Sequence, residues 1–228
     1  MSVFIYDPPQ EPFLNILYED DFIVVCDKPS GLLSVPGRLL EHQDSLIYRI
    51  RQTTKDAQAV HRLDMDTSGI MVVAKDSQTA GLLGKQFISH DAKKAYIAKV
   101  LGLIEKSGSI DAPLRCDWEN RPLQIVDYKQ GKPSLTLFER ISSDDNSSIV
   151  KLLPKTGRSH QLRVHLASIG HPIAGDRFYA KGEALKLSSR LCLHAAFLEF
   201  KHPYTNEVML FSTKASFAKD VDPSAWIV

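Results

Sequence analysis

Short apolar runs of strand length dominate the pattern of hydrophobic and polar positions along the chain. Residues 22–26 and 69–75 form two apolar runs, which are typical of strands buried on both faces. Residues 94–101 alternate instead, so that Tyr96, Ala98 and Val100 share one side of a predicted strand. The same criteria predict further strands at 134–141, 148–153, 191–200 and 207–213.

Three segments have helical spacing: residues 45–52, 77–91 and 159–169. The first helix is expected to be capped by Asp44 or Ser45 and the second by Ser77, and the third is expected to end at Gly170. The buried faces of the second and third helices are expected to carry Leu83, Phe87 and His90, and Leu162, Leu166 and Ile169. Because strands outnumber helices and show no βαβ regularity, the pattern predicts an α+β fold. Its sheet should be extended, largely antiparallel or mixed, and flanked by helices and loops.

The composition describes a folded chain without a strong charge bias. It has 228 residues, 43% of them hydrophobic, and a net charge of +1, which neither requires nor excludes a nucleic-acid partner. The three cysteines, Cys26, Cys116 and Cys192, are far apart and in no metal-binding spacing, which fits a reducing compartment. No signal peptide and no apolar run of roughly 20 residues is present. We therefore expect a soluble, cytoplasmic protein that does not use a membrane.

The most specific stretch of the sequence is HRLDMDTSG at residues 61–69. A single carboxylate is usually part of a solvated surface, and Arg-x-Asp alone carries no information, but nine residues together are far more specific. The stretch resembles the signature loop H-R-L-D-x-x-T-S-G of the RluA-type pseudouridine synthases. Three more segments are similar to that family's motifs: KPSGL at 28–32, KKAY at 93–96 and TGRSHQLR at 156–163. The resemblance runs from about residue 16 to 211.

The resemblance also implies an architecture. It implies the pseudouridine synthase fold with a catalytic cleft in the middle of the sheet. Residues 16–214 would form the catalytic domain and 215–228 a C-terminal tail. Residues 1–15, which contain Pro8, Pro9 and Pro12, are expected to form an extended arm. The matching region begins so early that no S4-type RNA-binding module, which many relatives carry, is expected before it.

The reaction of this family explains why these residue types belong together. Pseudouridine formation breaks the bond between ribose C1′ and uracil N1 and rejoins the base through C5. The resemblance makes Asp64 the nucleophile, which adds to uracil C6 or ribose C1′ or assists loss of the ribose 2′ proton; the sequence leaves these routes open. Burial opposes ionisation of a carboxylate, so a fixed cation is required, and the resemblance assigns Arg163. Tyr96 would stack on the uracil or handle a proton.

RNA binding is expected to come from local basic residues. A uridine in folded RNA must be flipped out of its stack to reach a nucleophile, and the resemblance places Arg62 to enter the gap. His61 either contacts RNA or only orients the loop. Arg38, Lys94 and Arg158 flank the matching segments as candidate phosphate contacts. Among these we favour Arg158, because it precedes a helix whose N-terminus can accept an anion.

No cofactor and no metal is expected, because the rearrangement is redox-neutral and no glycine-rich nucleotide loop is present. His160 and His165 are five residues apart, which does not put both on one helix face. The resemblance, strongest to short family members, implies tRNA anticodon stem-loops and a large-subunit rRNA hairpin as substrates. No DNA partner is expected. A monomer is expected because no coiled-coil pattern or apolar stripe stands out.

Three other hypotheses remain open. The first is an enzyme of the same family that acts on a different rRNA site. The second is a non-catalytic RNA-binding protein, which would not need Asp64, Tyr96 and Arg163 together. The third is a glycosidase-like hydrolase that pairs Asp64 with Asp66 or Asp176 and releases free uracil, although no motif for a second acid is present. Asp66 would raise the pKa of Asp64 if its carboxylate pointed inward. Because this position is variable within the family's pattern, Asp66 is expected to face solvent.

Overall fold

The computed structural model describes residues 5–226, which form two compact units. The first unit runs to Lys93 and includes Phe197–Thr213; the second comprises Lys94–Ala196 and the described residues from Lys214 onward. The strands are β1 (Ile16–Glu19), β2 (Ile23–Lys28), β3 (Gln58–Ala59), β4 (Ser68–Ala74), β5 (Lys93–Leu101), β6 (Ser107–Asp111), β7 (Leu114–Cys116), β8 (Gln124–Val126), β9 (Leu135–Ser143), β10 (Ser147–Pro154), β11 (Leu193–Lys201) and β12 (Val208–Ser212). The α-helices are α1 (Leu46–Ile50), α2 (Ser77–Ile88), α3 (Gln161–Ser168) and α4 (Gly182–Lys186).

The first unit is built on the antiparallel pairing of β2 with β1 and β4. Every residue of β4 is buried, which explains its uninterrupted apolar run. α2 packs onto this layer through Leu83, which belongs to the same core cluster as Ile23 and Val72. The end of β11 pairs antiparallel with β12 and adds Leu198 and Phe200 to that core. The signature loop, residues 61–69, runs into the first two residues of β4, so a rigid strand supports it.

The second unit contains an antiparallel sheet in the order β5-β10-β9-β6. α3 packs on this sheet through Leu162 and Leu166, which share a core cluster with Ala98 and Val100 of β5. Burial of such side chains contributes about 1.5–3 kcal/mol each, so α3 is fixed firmly to the sheet. β7 and β8 form a separate two-stranded ladder.

The observed architecture is α+β with antiparallel pairing, as the hydrophobic pattern predicted, and each predicted helix and strand is present with ends that differ by a few residues. Three details were wrong. Asp76 caps α2, not Ser77, and its carboxylate accepts a backbone N–H one turn further on over 2.8 Å. His90 lies beyond the end of α2 with a φ of 64°. Ile169 is the C-cap of α3 and is 40% exposed, so it is not on the buried face.

The predicted division into arm, catalytic domain and tail stays a prediction, and residues 1–4 and 227–228 lie outside the described part of the chain. Within that part, the buried guanidinium of Arg49 fastens the segment before β1. It donates to both carboxylate oxygens of Asp44 at 2.8 and 2.7 Å and to the carbonyls of Pro9 and Phe13 at 2.8 and 2.9 Å. Among the described residues, no helix has the length and apolar character needed to cross a membrane.

Candidate active site

The signature loop between β3 and β4 is fastened to the segment that follows β2. Leu63 is buried, and its N–H donates to the hydroxyl oxygen of Ser34 over 3.1 Å, while that hydroxyl donates to the Leu63 carbonyl over 2.7 Å. The hydroxyl of Ser30 donates to the Asp66 carbonyl over 2.7 Å. These bonds fix the backbone on either side of Asp64, so the loop presents its side chains from a fixed frame.

Lys28 makes the second attachment of the loop. Its side chain is fully buried, and its ammonium donates to the carbonyls of Pro29, Leu32 and Met65 at 2.9, 2.7 and 3.0 Å. The Met65 carbonyl also accepts the N–H of Gly31 over 2.9 Å, and Gly31 has a φ of 89° that favours glycine. The KPSGL segment is therefore a clamp on the signature loop as well as a turn.

The charged residues of the loop are held at its surface. Arg62 is exposed, whereas Asp64 and Asp66 are both half-buried. The Thr67 N–H donates to the Asp64 carbonyl over 3.1 Å and closes the turn behind the candidate nucleophile. The buried Leu63 thus separates an exposed guanidinium from a partly exposed carboxylate. The orientation of the Asp66 carboxylate stays a prediction.

His61 packs into the first unit. Its Nε2 accepts the N–H of Val72 over 3.1 Å, and its ring stacks on Phe87 with centroids 4.4 Å apart and an interplanar angle of 14°. These contacts tie the start of the loop to β4 and α2. These contacts suit one of the two roles considered for His61, orienting the loop. A contact of His61 with RNA stays a prediction.

Arg163 is locked in position on α3. Its side chain is 2% exposed, and Nε and Nη2 donate to the two carboxylate oxygens of the fully buried Asp176 at 2.8 and 2.7 Å. Asp176 also accepts the backbone N–H groups of Phe178 and Tyr179 at 2.9 and 3.3 Å. The guanidinium carbon lies 5.0 and 5.3 Å from the centroids of those two rings, within cation–π range. The arginine therefore has a single defined orientation.

The pairing also gives Asp176 a role that the sequence did not predict. Its oxygens accept N–H groups from the guanidinium and the backbone, whereas the second acid of a glycosidase has to donate a proton. Asp176 therefore positions Arg163. Gly175 precedes it with a φ of 70°, and a Cβ there would clash with the backbone carbonyl of Arg190. This Gly-Asp pair was the available sequence signal for a buried, constrained carboxylate.

Tyr96 and Lys94 lie two residues apart on β5, so their side chains leave the same face of the strand. Tyr96 stands opposite Leu152 of β10 and is half-buried against the core cluster of the second unit. Lys94 is also half-buried, and desolvation lowers the pKa of its ammonium from the ordinary value. A lysine so placed loses less hydration on meeting a phosphate than a fully exposed one.

Gln161 organises the TGRSHQLR segment. Its Oε1 accepts the Thr156 hydroxyl at 2.7 Å and the Arg158 N–H at 3.0 Å, and its Nε2 donates to the Leu135 carbonyl and the Thr136 hydroxyl oxygen at 3.1 and 3.0 Å. The loop before α3 is therefore rigid. The side chain of Arg158 is exposed, and its contact with a phosphate stays a prediction.

His160 of this segment and His165, two residues beyond it, have hydrogen-bond partners inside the protein. The two ring nitrogens of His165, Nδ1 and Nε2, lie 2.9 Å from the Thr136 hydroxyl and 2.9 Å from the Ala112 carbonyl oxygen, and desolvation lowers the pKa of His165. His160 has its Nδ1 2.7 Å from the Tyr179 hydroxyl. The described residues contain no group of three side chains suited to bind a metal ion.

The predicted site residues divide between the two units. The first unit holds the exposed Arg38 and three residues of the signature loop, His61, Arg62 and Asp64. The second unit holds Lys94, Tyr96, Arg158 and Arg163. The sequence reasoning missed the supporting contacts made by Lys28, Ser34, Gln161 and Asp176. Each of these residues has at least one partner that is 13 or more residues away in the chain, so local spacing does not reveal the contact.

Comparison with known proteins is consistent with this geometry. The family model described as RNA pseudouridylate synthase matches residues 22–168. The chain is 53% identical to the dual-specificity RNA pseudouridine synthase RluA of Vibrio parahaemolyticus over 209 residues, covering 89% of this chain and 84% of that protein. It is 52% identical to the protein of that name from Escherichia coli K12 over 214 residues, covering 93% and 98%.

Two solved human structures have the same fold. RNA pseudouridylate synthase domain containing 1 aligns with a TM-score of 0.77 at 30% identity, covering 96% of this chain and 90% of that one. RNA pseudouridylate synthase domain containing 4 aligns with a TM-score of 0.70 at 26% identity, covering 88% of each chain. Together with the family match and the curated relatives, they show that this chain belongs to the RluA family of RNA pseudouridine synthases, which are isomerases.

Proposed function

We propose that the chain converts uridine to pseudouridine in two kinds of RNA, the tRNA anticodon stem-loop and a large-subunit rRNA hairpin. The fastened signature loop carries the proposal, because buried Leu63 fixes the backbone between exposed Arg62 and half-buried Asp64. A catalytic carboxylate needs such a fixed frame, since misplacement by about 1 Å can cost 100-fold in rate. The words "dual-specificity" in the names of relatives about 52% identical support the two substrates.

Asp64 acts as the nucleophile in this proposal. The C1′–N1 bond breaks, the base turns, a C1′–C5 bond forms, the hydrogen at C5 leaves as a proton, and N1 gains one. The carboxylate adds to C6 or C1′ and is expelled again before the product leaves, or it assists loss of the 2′ proton, which is returned as the C1′–C5 bond forms; no cofactor takes part. Arg163 keeps Asp64 ionised as the base excludes water. The two-bond pair with Asp176 holds the guanidinium of Arg163 in one orientation, which suits a fixed cation that stabilises a carboxylate charge.

The remaining residues bind and reshape the RNA. Tyr96 stacks on the flipped uracil, and Arg62 enters the space that the base leaves. The phosphates are contacted by Lys94, Arg158 and Arg38. His61 orients the loop beside the bound RNA. We further propose that the enzyme is a cytoplasmic monomer that does not bind DNA as a substrate. Its three free thiols, two of them buried, fit a reducing compartment.

A tritium-release assay tests the function. RNA carrying tritium at uridine C5 loses it when the C1′–C5 bond forms, and carbodiimide-dependent stops of reverse transcription then locate the product. We expect release from both RNAs with the unmodified chain and with Asp66→Asn, which changes a carboxylate two residues away in the same loop. Asp64→Asn should bind both RNAs and release no tritium, because an amide cannot supply the nucleophile.

The alternatives give different outcomes in the same assay. Free uracil as product would identify a hydrolase. Release from rRNA fragments alone would reject the dual specificity. Equal release by Asp64→Asn and the unmodified chain would remove Asp64 from the reaction.

A further inference from the structure

The tip of the β7–β8 ladder presents a tryptophan to solvent. Trp118 is 67% exposed, and every residue from 118 to 122 is exposed. Tryptophan has the largest apolar surface of any side chain, and one that is mostly exposed on a protein surface calls for a physical explanation. The guanidinium carbon of Arg121 lies 5.0 Å from the centroid of the indole ring. One face of the indole therefore carries a cation, and the opposite face can take a second planar group.

The tip is rigid. The Asp117 N–H donates to the Leu123 carbonyl at 2.9 Å, and the Leu123 N–H donates to the Asn120 carbonyl at 3.1 Å. The side-chain amide of Asn120 donates to the Asp117 carboxylate at 2.9 Å. A loop closed by its own hydrogen bonds holds Trp118 in a fixed position, so little conformational entropy is lost when a partner binds.

The tip is also connected to the segment that carries Arg163. The N–H of Gln124, the first residue of β8, donates to the Tyr179 hydroxyl oxygen at 2.9 Å. That hydroxyl lies 2.7 Å from Nδ1 of His160, which is the N-cap of α3. A partner held at the tip is thus held by the same rigid frame that positions α3.

We propose that Trp118, with Arg121, is an RNA-stacking site outside the reacting centre, where an unpaired base of the substrate stacks on the indole. Aromatic rings with neighbouring arginines are the surfaces on which proteins stack single-stranded bases. Asp117 and Glu119 make the tip slightly acidic, so it attracts an unpaired base by stacking more than it attracts phosphate by charge. The inference rests on the proposed function, because that function makes RNA the partner.

Fluorescence tests the stacking directly, because the chain has two tryptophans. Trp226→Phe leaves Trp118 as the sole tryptophan, and Trp118→Phe leaves Trp226, whose ring lies 5.0 Å from the Lys151 ammonium. Both proteins are titrated with the anticodon stem-loop, the rRNA hairpin and an unstructured RNA oligonucleotide. We expect quenching in the protein that keeps Trp118 and little change in the other.

Affinity and turnover provide a second readout. Trp118→Ala should raise the Kd and KM for RNA by about 5-fold or more, with kcat at saturating RNA within about twofold. Trp118→Phe should recover most of the affinity. Tyr128→Ala is the matched control, since Tyr128 is 78% exposed at the other end of the same ladder.

Each result decides the matter. No quenching by any of the three RNAs, or an equal loss of affinity in Tyr128→Ala, would overturn the stacking site. If Trp118 served a protein partner instead, Trp118→Ala would bind RNA as the unmodified chain does. That result would also overturn the stacking site. Failure of the proposed function would be seen in a different measurement. The unmodified chain would then form no pseudouridine in either substrate, while the fluorescence titrations would still report on stacking.

Discussion

Replacing Lys28 with methionine removes the clamp on the signature loop while keeping the side-chain volume. Three backbone carbonyls lose a charged donor, and each such bond contributes about 1.5–3 kcal/mol. Leaving out the buried ammonium recovers several kcal/mol of desolvation. The balance predicts that the free energy of unfolding falls by about 2–4 kcal/mol. Met65 adjoins Asp64, so we also expect kcat to fall by about 10- to 100-fold.

Urea unfolding followed by circular dichroism measures the first effect, and single-turnover tritium release measures the second. Lys75→Met is the matched control, because Lys75 lies just after β4, is 20% exposed and pairs with Glu19 at 2.7 Å. A partly exposed pair contributes about 0–1 kcal/mol, so this variant should stay within about 1 kcal/mol of the unmodified protein and keep its kcat.

The reasoning fails if the two lysine variants have equal stability and equal kcat. In that case the carbonyls of Pro29, Leu32 and Met65 do not depend on the ammonium. A loss of stability without a loss of kcat would be a narrower failure, because it would separate folding of the first unit from the position of Asp64.

Three further predictions concern buried polar groups and thiols. Asp176→Asn should lower the free energy of unfolding by about 3–5 kcal/mol in urea, since Arg163 becomes a buried cation without its carboxylate; a loss under about 1 kcal/mol would contradict the pair. Burial lowers the pKa of His165, so the stability it contributes is complete above pH 6.5 and declines below it; His165→Gln should flatten this slope in unfolding measured on both sides of that pH. A thiol reagent should label only Cys116 in the native chain, because burial protects the others and raises the pKa of Cys26 to about 12; fast labelling of all three would contradict this.

The hydrophobic pattern predicted the fold where burial is extensive. β4 is buried along its whole length, so its apolar run is unambiguous. β1 is mostly exposed and was missed, because a strand that buries little shows no apolar pattern. At α2, Asp76 and Ser77 are adjacent and both are capping residue types, so composition could not decide which one starts the helix.

The sequence assigned roles to Asp64, Arg163 and Tyr96 by resemblance to the family's motifs, and those roles stay predictions. The contacts that support these residues were not predictable from the sequence. The bond from Ser34 to Leu63 spans 29 residues and the bond from Lys28 to Met65 spans 37. Such pairs are brought together only by the pairing of β2 with β4, so no local pattern can show them.

Among residues 5–226, the three largest fully buried side chains are all cations: Arg49, Arg163 and Lys28. Each fastens a segment that has no regular structure of its own, namely the chain before β1, the turn that contains Asp176, and the signature loop. Apolar contacts are not directional, so they can bury such segments without fixing their backbones. A buried cation whose donors converge on carbonyl or carboxylate oxygens fixes both position and direction, at a cost in desolvation that an apolar core avoids. Two of the three, Arg163 and Lys28, fasten residues at or beside the candidate site, so directional hydrogen bonds from buried cations, and not apolar contacts alone, fix the backbone beside Asp64 and the orientation of Arg163.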